Sequence, residues 1–214
     1  MFLITGYGRS GTHYTSRILQ ALGVDAPHET EGKDGVTSWK HIVPGTFVVI
    51  GKNREQIIPD ISYDTVIHQV RNPLKVLTSA QTFSESSLCY MEQKLGIDTD
   101  SDPKGNALFT LFGHKKRNHR IRRCMRTWLG WTKRIEQRAD WRYRIEDFQE
   151  IFPELLSKLG LPVQNLPVLQ KEARDSRVGR KGYTQLTWDK LKEADKTLAE
   201  NVEKRALEFG YDIN

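Results

Sequence analysis

The chain opens on the apolar run Phe2-Leu3-Ile4, which ends at Thr5 against a glycine-rich stretch, Gly6-Tyr7-Gly8-Arg9-Ser10-Gly11-Thr12-His13. Apolar residues return at Tyr14, Ile18, Leu19 and Leu22 before Gly23, a helical spacing with a stop signal behind it. The expectation is a strand that turns at once into a helix. The same succession recurs from Asp64 through Val70, a buried-strand pattern, followed by Arg71 and then Asn72-Pro73. There Asn suits a helix N-cap and Pro the first helical position. Candidate strands fall near residues 1–5, 46–50, 64–70 and 141–145. Ile121, Met125, Trp128 and Ile135 make one helical stripe, and Phe148, Leu155, Leu156 and Leu159 make another that stops at Gly160. Thr187 can cap a last helix with Leu191, Leu198 and Val202 on its buried side. Asp34-Gly35 reads as a turn, and the polar stretch from Phe83 to Asn106 as a flexible insertion or lid.

Alternating strand and helix signals over 214 residues suit one α/β domain spanning 1–214, three layers α/β/α around a central parallel sheet. Ligands of such sheets bind at the carboxyl ends of the strands. Both glycine-loop and Arg71 junctions fall there.

The first junction has the layout of a phosphate cradle. A strand turning sharply into a helix leaves the N–H groups of the first helical turn without backbone partners and aimed at one point. Gly6, Gly8 and Gly11 permit positive φ and close backbone approach, Ser10 and Thr12 can add hydroxyl donors, and Arg9 adds a fixed charge. The spacing from Gly6 to Gly11 also satisfies the start of a Walker A loop, but Thr12-His13 stand where that motif continues with Lys and then Ser or Thr. At the second junction Arg71 ends a strand and Ser79 lies about 9 Å along the helix that follows. Both could face a ligand lying across that end.

These residues resemble the sulfotransferases that use 3′-phosphoadenosine 5′-phosphosulfate (PAPS) as donor and release 3′-phosphoadenosine 5′-phosphate (PAP). The resemblance implies a P-loop NTPase-like fold. It implies that Gly8, Arg9, Ser10, Gly11, Thr12 and His13 hold the 5′-phosphosulfate, and that Arg71 and Ser79, eight residues apart, hold the 3′-phosphate. Tyr143-Arg144-Ile145-Glu146-Asp147-Phe148 is similar to the strand before the family's late helix, and Arg180-Lys181-Gly182 to its C-terminal loop over the nucleotide. Many cytosolic members carry Tyr directly before the Glu-Asp pair; Ile145 stands there, with Tyr143 two residues earlier. No metal is expected, and no run of ligands has metal-site spacing.

A sulfuryl transferase needs a held donor, a base for the acceptor hydroxyl, and positive charge where the leaving phosphate gains negative charge. Arg9 suits the last role. Several relatives place a catalytic Glu just after the first helix, which points to Glu29 and then His28 as the base; carboxylate and imidazole can also act as a pair. His41 is a rival, whereas His68 reads as a core histidine pointing into the sheet. Trp39 suits either an acceptor pocket or the core. The expected acceptor is a small molecule or glycan, anionic ones included, with a hydroxyl or amine to accept; glycan, lipid, small alcohol and peptide tyrosine all stay open. A nucleotide kinase or NTPase would need a loop Lys and an acidic Mg²⁺ ligand. A non-catalytic protein would bind PAP and turn nothing over. Those two alternatives stay open.

Net charge is +6, and it is unevenly placed. Between Pro103 and Ile135 stand ten Lys or Arg and no acid, leaving 23 basic against 27 acidic residues elsewhere. That segment is either a solvated helix face or an electropositive wall for an anionic ligand. No specific nucleic-acid motif accompanies it. Cys89 and Cys124 are too few for a disulfide framework, no run reaches membrane-spanning length, and no leader pattern opens the chain. A cytoplasmic setting is the default expectation.

Overall fold

The computed structural model describes residues 1–49, 54–97, 113–168 and 185–213, and Arg180-Lys181-Gly182 lie outside them. The described residues form an α/β structure with a four-stranded parallel sheet and seven α-helices. Two compact units divide the chain. The first comprises Met1–Gly45, Ile58–Arg71 and Arg134–Gly182, the second Thr46–Ile57, Asn72–Lys133 and Tyr183–Asn214.

The first unit holds the parallel sheet. Its strands are β1 (Phe2–Thr5), β2 (Gly35–Thr37), β5 (Thr65–Val70) and β6 (Trp141–Arg144), in the order β2-β1-β5-β6. Phe2 pairs with Gly35 on one side and Thr65 on the other, and Ile67 pairs with Trp141. Helix α1 (Thr12–Ala21) follows β1, with Ile18 and Leu19 buried, and ends at Gly23, whose φ of 79° is the left-handed stop that glycine supplies. After β6 a 3₁₀ turn (Ile145–Asp147) leads into helix α5 (Phe148–Lys158), and Gly160 (φ 68°) ends that segment as the sequence indicated. Ile4, Ile18, Leu19 and Ile67 pack with Tyr143, Phe148, Phe152 and Leu155 into one core. Truncating a fully buried Ile or Leu of this kind costs about 2–5 kcal/mol.

Strand β2 was not expected, because Asp34-Gly35 reads as a turn. A Cβ on Gly35 would fall 2.5 Å from the Phe2 ring and 2.7 Å from the Phe2 carbonyl oxygen, so the residue that suggests a turn is what lets this short edge strand approach β1.

The strand expected at 46–50 also forms, as β3 (Gly45–Val49), but it pairs with β4 (Arg54–Ile58) in a separate two-stranded sheet rather than joining the parallel one. In the second unit Asn72 caps helix α2 (Pro73–Ala80) by accepting from the Lys75 N–H. The described part of the expected lid, residues 83–97, is mostly a helix, α3 (Glu85–Leu95), while residues 98–106 of that stretch lie outside the described residues: Ser84 caps the helix, Leu88 and Met91 are buried on one face, and Gly96 ends it. Three-residue spacing within a polar stretch outweighed its composition. Helix α4 (Gly113–Glu136) carries Ile121, Met125, Trp128 and Trp131 inward. The single last helix of the sequence reading is two, α6 (Trp188–Ala194), capped by Thr187, and α7 (Lys196–Glu208), capped by Asp195. Asp195 is extended (φ −167°), and its side chain accepts the Leu198 N–H at 3.0 Å, so it breaks the helix and restarts it. Trp128 stacks edge-on with Phe209 of the chain end at 6.0 Å between ring centres.

The basic segment is partly tied down. Arg123 donates to Glu92 and Glu85 of α3 at 2.7 Å each, and Arg120 pairs with Glu85 as well. These two cations belong to a structural network between helices of one unit rather than to a free electropositive wall. Burial pushes the Glu85 carboxyl up, but the two guanidiniums outweigh it and hold it below the usual range.

Candidate functional site

The glycine loop sits between β1 and α1 and is built from close approaches. A Cβ on Gly6 would lie 2.3 Å from the Gln69 carbonyl oxygen, so only glycine fits there. Gly8 is buried. Arg9 takes the left-handed conformation, φ 79°. Ser10 closes the turn back on Tyr7: its N–H donates to the Tyr7 carbonyl at 3.0 Å and its hydroxyl to the same oxygen at 2.5 Å. Gly11, at φ 99°, stands as the N-cap of α1 with no side chain capping the helix. The first-turn amides of Thr12 and His13 therefore face out of the helix end, where the helix dipole favours an anion.

Strand β5 holds the loop from beneath. Arg71 Nη1 donates to the carbonyl of Arg9 at 3.1 Å, and Gln69 Nε2 to the carbonyl of Ser10 at 2.8 Å. Gln69 Oε1 in turn accepts from the hydroxyls of Thr15 and Tyr143, at 2.7 and 2.6 Å. Tyr143 is thus committed to the core, and burial pushes its hydroxyl pKa well up. Ile145 lies over Gly11, its Cγ1 3.3 Å from where a Cβ would stand.

A chain of polar contacts leads from the loop to the candidate base. Thr12 Oγ1 lies 3.1 Å from His28 Nε2, the exposed His13 ring meets His28 edge-on at 5.1 Å, and His28 Nε2 lies 3.5 Å from Glu29 Oε1. Glu29 Oε2 pairs with Lys40 Nζ at 2.8 Å. The Glu29 N–H donates to the carbonyl of Thr37 at 3.0 Å, which fastens this segment to the end of β2. Burial raises the Glu29 pKa; the Lys40 ammonium and the hydrogen bonds from Trp39 and Ser38 oppose that rise without cancelling it. Among the described residues, Arg9 and Glu29 are the non-glycine residues with left-handed backbone, φ 79° and 66°. Such conformations cost about 1–3 kcal/mol and persist where surrounding structure over-determines them. Arg9 stands out in the sequence for its charge and Glu29 for its place just after the first helix.

The rival histidines are placed differently. His41 is buried, its Nδ1 3.0 Å from the Tyr63 hydroxyl, and the ring also bonds the Glu29 backbone carbonyl. Burial lowers its pKa, which favours the neutral ring, and burial together with Glu31 pushes Tyr63 up to about 12. His68 is fully buried within β5 and its Nδ1 meets Glu136, whose other oxygen binds Arg142 at 2.6 Å: the core histidine that the sequence suggested. Trp39 is buried, with Lys40 Nζ 5.7 Å from its ring centre.

The first unit thus gathers Gly8, Arg9, Ser10, Gly11, Thr12, His13, His28, Glu29 and Arg71, whereas Ser79 is the penultimate residue of α2 in the second unit. Lys40, Thr15 and Gln69 had not been selected, and Tyr143 only as part of the stretch before the late helix. Lys40 carries no local signal, but a glutamine inside the run Val66-Ile67-His68-Gln69-Val70 did, since a buried amide must find partners. Among the described residues no cluster of His, Cys, Asp or Glu could hold a metal ion, and no helix is long and apolar enough to cross a membrane. No protein-family model matches the chain, and no curated protein matches it.

Proposed function

We propose that the chain is a sulfotransferase that moves the sulfuryl group of PAPS to a hydroxyl or amine acceptor, a carbohydrate among the candidates, on a three-layer α/β/α fold of P-loop type. The observation that carries this reading is the linkage of loop to base. Thr12 opens the helix whose N-terminus forms the cradle, and it touches His28, which touches Glu29, all within one unit.

The donor set fits a phosphosulfate. A helix end without a side-chain cap offers amides to an anion, and Arg9 adds a permanent charge beside them. PAPS, when bound, supplies the sulfuryl group and a phosphate as the leaving group. Arg9 then faces the negative charge that grows on that leaving side, and the loop amides share it. Arg71, beside the Arg9 carbonyl, has guanidinium donors beyond the one that holds the loop, and these suit the 3′-phosphate. Glu29 takes the acceptor proton. Its raised pKa makes it a stronger base than an exposed carboxylate, and Lys40 keeps the ionised form in place. His28, between Thr12 and Glu29, orients the pair or relays the proton. Most of the rate enhancement then comes from alignment and charge, with no covalent intermediate on the protein.

Calorimetry with PAP in the absence of metal, beside Mg-ATP and 5′-AMP, tests the reading. Binding that depends on the 3′-phosphate is the expected result. A preference for Mg-ATP would replace it with a nucleotide kinase or NTPase, and PAP binding without turnover of PAPS by any acceptor would leave a PAP-binding protein.

A further inference from the structure

Gln69 is wholly buried on β5, and the chemistry above makes no use of it. Its amide is matched on both sides: Nε2 donates to the Ser10 carbonyl at 2.8 Å, and Oε1 accepts from Thr15 and Tyr143 at 2.7 and 2.6 Å. Chemistry fixes that orientation, because a carbonyl oxygen can only accept and so must face the NH₂ end. Arg71, two residues on and just past the end of β5, reaches the neighbouring carbonyl of Arg9 at 3.1 Å.

These two bonds set the peptide planes of the loop. In a trans peptide the N–H points opposite to the C=O, and no peptide bond here is cis. The Arg9–Ser10 peptide has its carbonyl on Arg71 and its N–H on the Tyr7 carbonyl at 3.0 Å, so both ends are used internally. The Ser10–Gly11 peptide has its carbonyl drawn toward Gln69, which turns the Gly11 N–H away from the core. The absent side chain at Gly11 is the counterpart: at φ 99° a Cβ would be strained and would stand 3.0 Å from Gln69 Nε2.

We infer that Gln69 is a positioning residue, which presents the Gly11 amide to a bound phosphate or sulfate group by holding the Ser10 carbonyl back. The inference rests on the reading of this loop as an anion cradle. It predicts that anion affinity depends on a side chain that never touches the anion, and on one of its bonds rather than on all of them.

The test separates that bond from general loosening. PAP affinity and thermal unfolding are measured for the wild-type chain, Gln69→Met and Thr15→Val. Gln69→Met loses the bonds to Ser10, Thr15 and Tyr143, whereas Thr15→Val loses those of Thr15 to Gln69 and Tyr143 and keeps the bond to Ser10. Gln69→Met is expected to bind PAP about tenfold more weakly or worse, and Thr15→Val within about threefold of wild type despite its lower melting temperature. Unchanged affinity in Gln69→Met, or an equal loss in Thr15→Val, overturns the inference. Should Gln69→Met not fold, amide NMR of the wild type decides: the Gly11 resonance shifts on addition of PAP, and an unmoved Gly11 overturns it. If the wild type binds no PAP, the same titration with inorganic sulfate tells the cases apart. A Gly11 shift there leaves the cradle standing and removes the sulfotransferase reading, and no shift removes both.

Discussion

Replacing Gly6 by alanine adds one methyl group at the tightest point between the loop and the sheet. The new carbon would lie 2.3 Å from the Gln69 carbonyl oxygen, 3.0 Å from Ser10 Cβ and 3.1 Å from Ser10 Oγ. The first of these is backbone of β5, which is paired with β1 on one side and β6 on the other and cannot rotate away. The strand and the loop must separate by about 1 Å to restore ordinary contact, and overpacking of this kind costs about 1–3 kcal/mol. We place Gly6→Ala at the upper end, about 3 kcal/mol, since no flexible side chain absorbs the strain. For a chain of this length each kcal/mol lowers the melting temperature by about 2–4 °C, so a fall of about 6–12 °C is expected. Gly23→Ala is the control: Gly23 has φ 79° but no heavy atom within 4 Å of its would-be Cβ, so only the left-handed conformation is penalised, at about 1–2 kcal/mol. Calorimetric melting of both variants reads the difference. If Gly6→Ala melts no lower than Gly23→Ala, the close approach of loop and strand is not what makes position 6 a glycine.

Glu29→Gln should leave PAP affinity nearly unchanged while suppressing PAPS turnover, and the acid limb of the wild-type rate, set by ionisation of Glu29, should fall above pH 4.5 because burial raises this carboxyl; a limb unaltered in the variant would move the base to His28 or elsewhere. His41 is depressed below 6.5 by burial, so the unfolded chain binds a proton that the folded one refuses. Stability attributable to His41 is therefore present above pH 6.5 and lost as pH falls toward its folded pKa, and denaturant titrations of His41→Gln should show that part of the slope gone. Arg71→Ala should weaken PAP binding more than binding of adenosine 5′-phosphosulfate, which lacks the 3′-phosphate; equal losses would mean that Arg71 acts only through the Arg9 carbonyl.

The parts of this chain that were legible in sequence are those specified by neighbours. Phe2-Leu3-Ile4 followed by glycines and a helical stripe dictates strand, turn and helix locally, and Asn72-Pro73 dictates the start of α2. Arg9 stood out as a fixed charge within the glycine loop, and Glu29 through its place just after the first helix, where the resemblance puts a catalytic Glu. What escaped depends on residues far apart in the chain. Gly35-Val36-Thr37 is a strand only because β1 lies beside it, and nothing in three residues announces that. Lys40 meets Glu29 only because residue 29 turns left-handed beside β2. Helix α3 was hidden by its polar outer face, and the break at Asp195 by an apolar spacing that runs on across it.

The bonds that shape the loop span long stretches of sequence: Gln69 reaches Ser10 across 59 positions and Thr15 across 54, and Tyr143 reaches Gln69 across 74. Closing such loops carries an entropic penalty that is recovered only once the distant partners have docked, which makes long-range pairings slow to form. The loop therefore cannot adopt its final shape as an isolated strand–turn–helix, however well local signals encode one. It must await β5, which carries Gln69 and leads into Arg71. The final shape of the loop is then acquired only once that strand has docked, and during synthesis a nascent chain ending before Thr65 would carry every residue of the glycine loop yet lack the bonds that set its peptide planes.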